Sequence, residues 1–156
     1  MTHEALMREA IRLSRQNVAS GEGGPFAAIV ARNGEILAVG TNQVTSLNDP
    51  TAHAEIVAIR NACRILNAFE LKGCDLYATC EPCPMCLGAI YWARLDRVFF
   101  ANTRHDAASI GFDDAFIYDE ISLAVSARKI PMTSLLRDEA LAAFRDWQRS
   151  TTKKPY

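Results

Sequence analysis

Small and apolar residues recur at intervals of three and four from the start of the chain. Met7, Ala10, Ile11, Ser14 and Val18 share one side of a helix predicted over residues 3–20. Gly21-Glu22-Gly23-Gly24-Pro25 ends it. The period then gives way to an almost uninterrupted apolar run, Phe26-Ala27-Ala28-Ile29-Val30-Ala31-Arg32, which reads as a buried strand. Asn33-Gly34 is a two-residue hairpin turn, so residues 35–41 are predicted to pair antiparallel with that strand. After a polar loop at 42–48, Ile56, Ile59, Cys63 and Leu66 form the stripe of a second long helix. Leu76 and Tyr77 mark a short strand, a helix runs from Pro84 to about Arg94, and Arg97-Val98-Phe99-Phe100-Ala101 is the next strand. Residues 102–118 read as an irregular loop or short helix, 130–134 as a late strand, and Ala140, Phe144 and Trp147 as one face of a terminal helix.

Strands alternating with helices after an opening hairpin predict an α/β fold, a three-layer α-β-α sandwich around a mixed sheet of about five strands. The 156 residues fit a single domain over 1–156 and suffice for one continuous core. A net charge of −1 leaves no broad basic surface to neutralise phosphates, so stable nucleic-acid binding is not expected. Met1-Thr2-His3-Glu4 lacks a secretory start, and no apolar run approaches the roughly 20 residues that span a bilayer. The predicted location is cytoplasmic. Five cysteines, an odd count with three clustered, agree with a reducing compartment and make Cys63 and Cys74 buried thiols rather than a disulfide. The glycines near position 23 have no nucleotide-binding spacing and are read as a turn.

Candidate chemistry is concentrated in Thr51-Ala52-His53-Ala54-Glu55 and Thr79-Cys80-Glu81-Pro82-Cys83-Pro84-Met85-Cys86. His53, Cys83 and Cys86 supply the nitrogen and sulfur donors of a tetrahedral zinc site whose fourth position is left for water. Two thiolates cancel the charge of the dication, so a neighbouring base must take the water proton; Glu55 is placed for that role. A helix beginning near Pro50, capped by Asp49 or Thr51, would carry His53 and Glu55 in its first turn. Pro84 suits the first position of another helix, with Cys83 as its cap and Cys86 one turn along. Both helix starts then point at the metal, and their positive ends favour thiolates. Cys80 leaves an alternative open, because a fourth protein ligand would close the site and make it structural.

His-x-Glu followed by Pro-Cys-x-x-Cys is the general signature of zinc nucleobase deaminases, and the chain resembles the cytidine deaminase-like superfamily. Asn48-Asp49-Pro50-Thr51-Ala52-His53-Ala54-Glu55, the segment from Cys83 to Arg94, Gly111-Phe112-Asp113-Asp114 and Lys153-Lys154-Pro155-Tyr156 resemble the small bacterial guanine deaminases over nearly the whole chain. The resemblance implies one zinc per subunit and hydrolytic deamination of guanine to xanthine and ammonia. It implies Glu55 and Asp114 as proton-handling groups, Asp114 facing guanine's N1–H and 2-amino donors. Phe26, Asn42, the amide of Ala54 and Trp92 are implied as purine contacts. It further implies a homodimer in which the C-terminal segment is exchanged, residues 151–156 completing the partner subunit's pocket with Tyr156. Asp113 is expected only to cap or to face solvent, Glu81 only to satisfy backbone donors, and His3 and His105 to be ordinary histidines. Two other readings stay open on the residues: a tRNA adenosine deaminase or a deaminase of another aminopurine, which would carry the same motif, and a noncatalytic zinc-stabilised interaction module.

Overall fold

A computed structural model describes residues 1–156. Helix α1, His3–Ser20, opens with the Thr2 hydroxyl accepting from the Ala5 amide and stops where Gly21 turns left-handed at φ 73°. The predicted limits hold, but the buried stripe is rotated. Leu6, Ala10, Ser14 and Asn17 face inward, while Ile11 and Val18 are exposed. The stripe turns polar toward its end because the Asn17 side-chain amide finds two main-chain carbonyls, Gly24 and Asn42, to bond.

Strand β1, Ala27–Arg32, and strand β2, Glu35–Thr41, form the expected hairpin. Asn33 and Gly34 both take positive φ, 52° and 78°, the type I′ turn whose twist matches the flanking strands. A one-turn helix, α2 (Val44–Leu47), interrupts the loop after β2. Helix α3, Ala54–Leu66, leads to β3, Cys74–Cys80; then α4, Pro84–Trp92, returns the chain to β4, Arg97–Asn102. Strand order is β2-β1-β3-β4, antiparallel across the first two pairs and parallel between β3 and β4. The sheet is mixed, as predicted, with four strands rather than about five.

Residues on β1 alternate between two cores. Ala28 and Val30 pack with Ala54, Ala58, Ala62 and Ile90 of α3 and α4, whereas Ile29 and Ala31 pack with Leu6 and Ala10 of α1 and with Tyr77. Helices therefore cover both faces, which explains why β1 and β3 read as apolar runs without alternation. Where the β1–β3 ladder ends, the buried Thr79 hydroxyl accepts from the Ala27 amide at 3.0 Å.

By its own contacts the chain divides into two compact units, Met1–Phe116 and Ile117–Tyr156. Within 102–118 lie α5, Arg104–Ser109, held by a Thr103/Asp106 capping box, and the start of α6, Ala115–Ser122. The second unit holds the remainder of α6, a 3₁₀ turn at Val125–Ala127 and α7, Arg137–Arg149, which carries the predicted apolar face. None of its residues is buried. The predicted strand at 130–134 is irregular chain; Pro131 donates no ladder hydrogen bond, and Ile130 is 73% exposed. Cys63 and Cys74 are free thiols, as expected, but only Cys74 is buried, Cys63 being half-buried, and no helix is long and apolar enough to cross a membrane.

Helix α3 lies backbone-close on β2. A Cβ at Gly40 would stand 2.2 Å from the Ala54 carbonyl oxygen and 2.4 Å from the Ala58 nitrogen. Neither is a flexible side-chain end, so α3 would have to move away from the sheet. Gly40→Ala is expected to lower unfolding free energy by about 1–3 kcal/mol or more, read from denaturant melts, and to weaken zinc retention because α3 carries part of the metal cluster.

Candidate active site

The start of α3 is set by a turn upstream of it. The Asp49 carboxylate accepts from the Thr51 amide at 2.8 Å and the Thr51 hydroxyl at 2.7 Å, and the Asp49 carbonyl accepts from the Ala52 amide at 3.0 Å. With Asp49 and Thr51 engaged in each other, neither caps the helix. The helix begins at Ala54, and His53 is its extended N-cap residue at φ −67°, ψ 154°, with no capping bond from its ring. This corrects the expected start near Pro50. His53 precedes the first turn, and only Glu55 lies in it.

Helix α4 begins as its sequence predicts. Cys83 is the N-cap, Pro84 occupies the first turn, and Cys86 is buried one turn along. Two helix starts thus converge. His53 Nδ1 lies 3.5 Å from the sulfurs of both Cys83 and Cys86, and the three donor atoms fall within 4.8 Å of one another. Donors of a tetrahedral zinc with bonds near 2.1–2.3 Å stand about 3.5 Å apart. The cluster fits that ion in spacing and in donor type. Cys80 is outside it, its thiol donating at 3.7 Å to the Thr103 carbonyl. Burial pushes the Cys80 thiol up to about 11, so it holds its proton while three ligands leave a fourth position open.

The electrostatics divide the two cysteines, because they share one proton. Cys83 is lowered to about 4, first by the hydrogen bond from the Cys86 thiol and next, against the opposing effect of burial, by His53. His53 is raised, chiefly by its bond to Cys83. Cys86 is raised because it donates to Cys83 and is buried. Glu55, 8% exposed, is raised above the usual carboxylate range by burial, with Cys86 beside it. A buried carboxyl beside the metal cluster, holding protons more tightly than a surface carboxyl, is suited to accept a proton and return it.

Asn42, at the exit of β2, is 8% exposed; its amide N–H donates to the Phe26 carbonyl at 3.0 Å. The Asn42 side-chain oxygen accepts from the Gly24 amide at 3.3 Å and the Val44 amide at 3.4 Å. Phe26 is half-buried, its ring meeting Phe112 edge to face at 4.9 Å. Sequence reasoning assigns no role to Phe112. The signal for one is a large aromatic within the otherwise polar Gly111–Asp114 stretch. The paired acids beside it divide. Asp113 accepts from the Ala115 amide at 2.9 Å and caps α6, whereas Asp114 is half-buried and raised, first by burial and also by the Cys83 charge, with Arg104 opposing. Ala54 is buried and opens α3, so its amide is among those a helix leaves unpaired internally. Glu81 accepts from the Arg104 amide at 3.0 Å, the backbone role expected of it. Trp92 closes α4 and is 65% exposed; Tyr156, in the second unit, is 72% exposed. His3 stacks on Phe99 and bonds Tyr77, away from any metal donor.

A mixed sheet flanked by helices, with a His/Cys/Cys cluster at two helix starts and a buried Glu against it, defines a zinc-dependent deaminase. The cytidine and deoxycytidylate deaminase zinc-binding region matches residues 1–102. The guanine deaminase of Bacillus subtilis is 50% identical over the full length of both chains, and its crystal structure superposes with a TM-score of 0.98 over 100% of this chain and 99% of that one. The chain belongs to the cytidine deaminase-like zinc family, among the bacterial guanine deaminases. A guanine deaminase structure from Nitrosomonas europaea is 35% identical, with a TM-score of 0.70 over 93% of this chain and 84% of that chain. The tRNA-specific adenosine deaminase of Aquifex aeolicus is 44% identical over 101 residues, 65% of this chain and 66% of its own.

The ligand set makes a stoichiometric prediction. Metal analysis of purified protein should find one zinc per chain, retained in Cys80→Ser and lost in His53→Ala, Cys83→Ala and Cys86→Ala. Loss of zinc from Cys80→Ser would mean a closed, four-ligand site.

Proposed function

We propose that this protein hydrolyses free guanine to xanthine and ammonia, as a cytoplasmic enzyme of purine salvage or breakdown. Bound zinc would supply the Lewis acidity that makes water nucleophilic at neutral pH. Glu55 takes the proton of the attacking water and passes it to the ring nitrogen beside C2. Its raised affinity for protons suits both halves of that transfer. Asp114 accepts from the N1–H and 2-amino donors of guanine and, with Glu55, moves a proton to the departing amine, so that water and guanine leave as xanthine and ammonia. Asn42 and the Ala54 amide donate to acceptors of the purine, Phe26 packs on its ring, and Trp92 is a wall.

The observation that carries guanine over a tRNA adenosine is Asp114, a second half-buried carboxyl whose charge is felt by His53, Cys80 and Cys83. Adenine has no N1–H and 2-amino pair for it to accept. The net charge of −1 supports the same choice, since a tRNA partner favours a basic surface. A noncatalytic zinc module would have no use for a buried Glu55 against the cluster.

The active form we propose is a homodimer that exchanges the C-terminal segment, with residues 151–156 bringing Tyr156 to the partner's pocket and the whole chain acting as one deaminase unit. Its support is the unsatisfied apolar surface of the second unit, where Ile130, Leu135 and Phe144 are 73%, 80% and 72% exposed. Surfaces of that kind mark association sites.

Ammonia release should be measured with guanine, adenine, cytosine, guanosine and tRNA in parallel. Guanine alone is expected to react. Glu55→Gln is expected to keep its zinc while kcat falls about 10²–10⁴-fold, and chelated protein to be inactive. Ammonia from adenine in tRNA would instead assign the chain to RNA editing. Removing residues 153–156 should lower kcat/KM at least about tenfold, the order of one lost transition-state contact of about 1.4 kcal/mol, at unchanged zinc content. Light scattering should return twice the chain mass; full turnover by a monomer would refute the exchange.

A further inference from the structure

Helix α1 buries two polar side chains on the sheet side, and they behave differently. The Ser14 hydroxyl donates to the Ile11 carbonyl at 2.9 Å, a bond that stays within the helix. Asn17, 5% exposed, sends its side-chain nitrogen out of the helix to two main-chain carbonyls, Gly24 at 2.9 Å and Asn42 at 2.9 Å. Those carbonyls belong to the segments at the site-facing ends of β1 and β2.

These bonds close a ring. Asn17 holds the carbonyl of Gly24; the amide of Gly24 donates to the side-chain oxygen of Asn42; the carbonyl of Asn42 returns to Asn17. A second amide, from Val44, fixes the same Asn42 oxygen, so the two bonds set which way the Asn42 amide faces. Its oxygen is committed to the main chain, and its nitrogen is the end left to act as a donor. Space allows no slack. A Cβ at Gly23 would stand 2.1 Å from the Asn42 carbonyl oxygen, and one at Gly24 would meet the Phe26 ring at 3.2 Å and the Phe112 ring at 3.4 Å. The Asn17 amide is thus packed against the backbone that presents both Asn42 and Phe26.

We propose that Asn17 is a positioning residue for substrate recognition: from outside the pocket it locks the Gly24–Asn42 ring, so that Asn42 presents its amide nitrogen as a fixed donor to an acceptor atom of the purine. The proposal rests on the reading of Asn42 as a purine contact. Without Asn17, the buried Asn42 carbonyl loses its donor and the Gly24 carbonyl keeps only the Phe26 amide at 2.8 Å, so the loop relaxes and the Asn42 amide is no longer held in one orientation before substrate arrives. Pre-orientation of a donor chiefly affects binding. The metal cluster, on the starts of α3 and α4, is not part of this ring.

A double-mutant cycle tests it, with Asn17→Ala made in the native chain and in Asn42→Ala and with KM, kcat, zinc content and melting temperature read for each. In the native chain, Asn17→Ala should raise KM for guanine about 5–100-fold, the range for a buried hydrogen-bonding group left unpaired, with kcat changed less than about threefold and one zinc kept. In the Asn42→Ala background the same change should add less than about twofold to KM, because the effect passes through Asn42. Ser14→Ala, equally buried on the same helix, should leave KM unmoved whatever its melting temperature. Should Asn17→Ala fail to fold, Asn17→Ser, which keeps one donor, enters the same cycle. Equal KM increases in both backgrounds would overturn the proposal, as would a lowered melting temperature with KM unchanged. If Asn42→Ala itself leaves KM unmoved, the substrate role of Asn42 fails and this inference with it; if Asn42→Ala raises KM and Asn17→Ala does not, only the inference fails.

Discussion

The site depends on two helices beginning at one point in space. His53 and Cys83 are both N-cap residues in extended conformation, and Cys86 lies one turn inside the second helix, so three donors come within 4.8 Å from segments 30 residues apart. That meeting is enforced from below. Helix α3 sits on β2 at a separation only a glycine at position 40 allows, with Ala54, Ala58 and Ala62 facing the sheet, while α4 is the crossover between the parallel strands β3 and β4. Small residues under α3 cost little entropy to bury and let the two main chains approach. The chemistry above inherits its precision from that contact.

Surroundings give the two glutamates and the cysteines near the metal distinct roles from similar chemistry. Glu55 is desolvated beside Cys86 and holds protons more tightly than a surface carboxyl, which suits a proton carrier. Glu81, one residue past the end of β3, is bonded instead to the amide and the guanidinium of Arg104, where it fixes the start of α5. Cys80 and Cys83 are three residues apart, yet one is a buried thiol bonded to a carbonyl and the other the acidic member of the cluster. Distance to the helix starts, rather than residue type, separates ligand from bystander.

The second unit poses a different physical problem. Helix α7 has one apolar face, but no residue from 117 to 156 is buried, and several of the largest apolar side chains there are more than half exposed. A segment of about forty residues that buries so little cannot offset the conformational entropy of its own ordering. Full-length similarity to a guanine deaminase extends through this segment, whereas the tRNA-specific relative matches only 101 residues.

Local decisions are legible in the sequence. Asn33-Gly34 dictates a type I′ hairpin, Gly21 stops α1, and Pro84 starts α4 with Cys83 as its cap, because each is settled by the φ preferences and hydrogen bonds of adjacent residues. The metal ligands are legible for the same reason, since their spacing encodes the helix start that presents them. What depends on neighbours distant in the chain is not. The sheet selects the Leu6, Ala10 and Asn17 face of α1 over Ile11 and Val18, whereas the start of α3 at Ala54 and the irregular chain at 130–134 follow from local signals, the Asp49–Thr51 turn and Pro131. Phe112 against Phe26, and Asn17 bridging Gly24 and Asn42, join side chains and carbonyls that no periodicity relates. The sequence by itself determined the main elements from α1 to β4 and the donor set, whereas tertiary structure decided which faces turn inward and which polar groups meet, because burial and long-range hydrogen bonding exist only once the layers have packed.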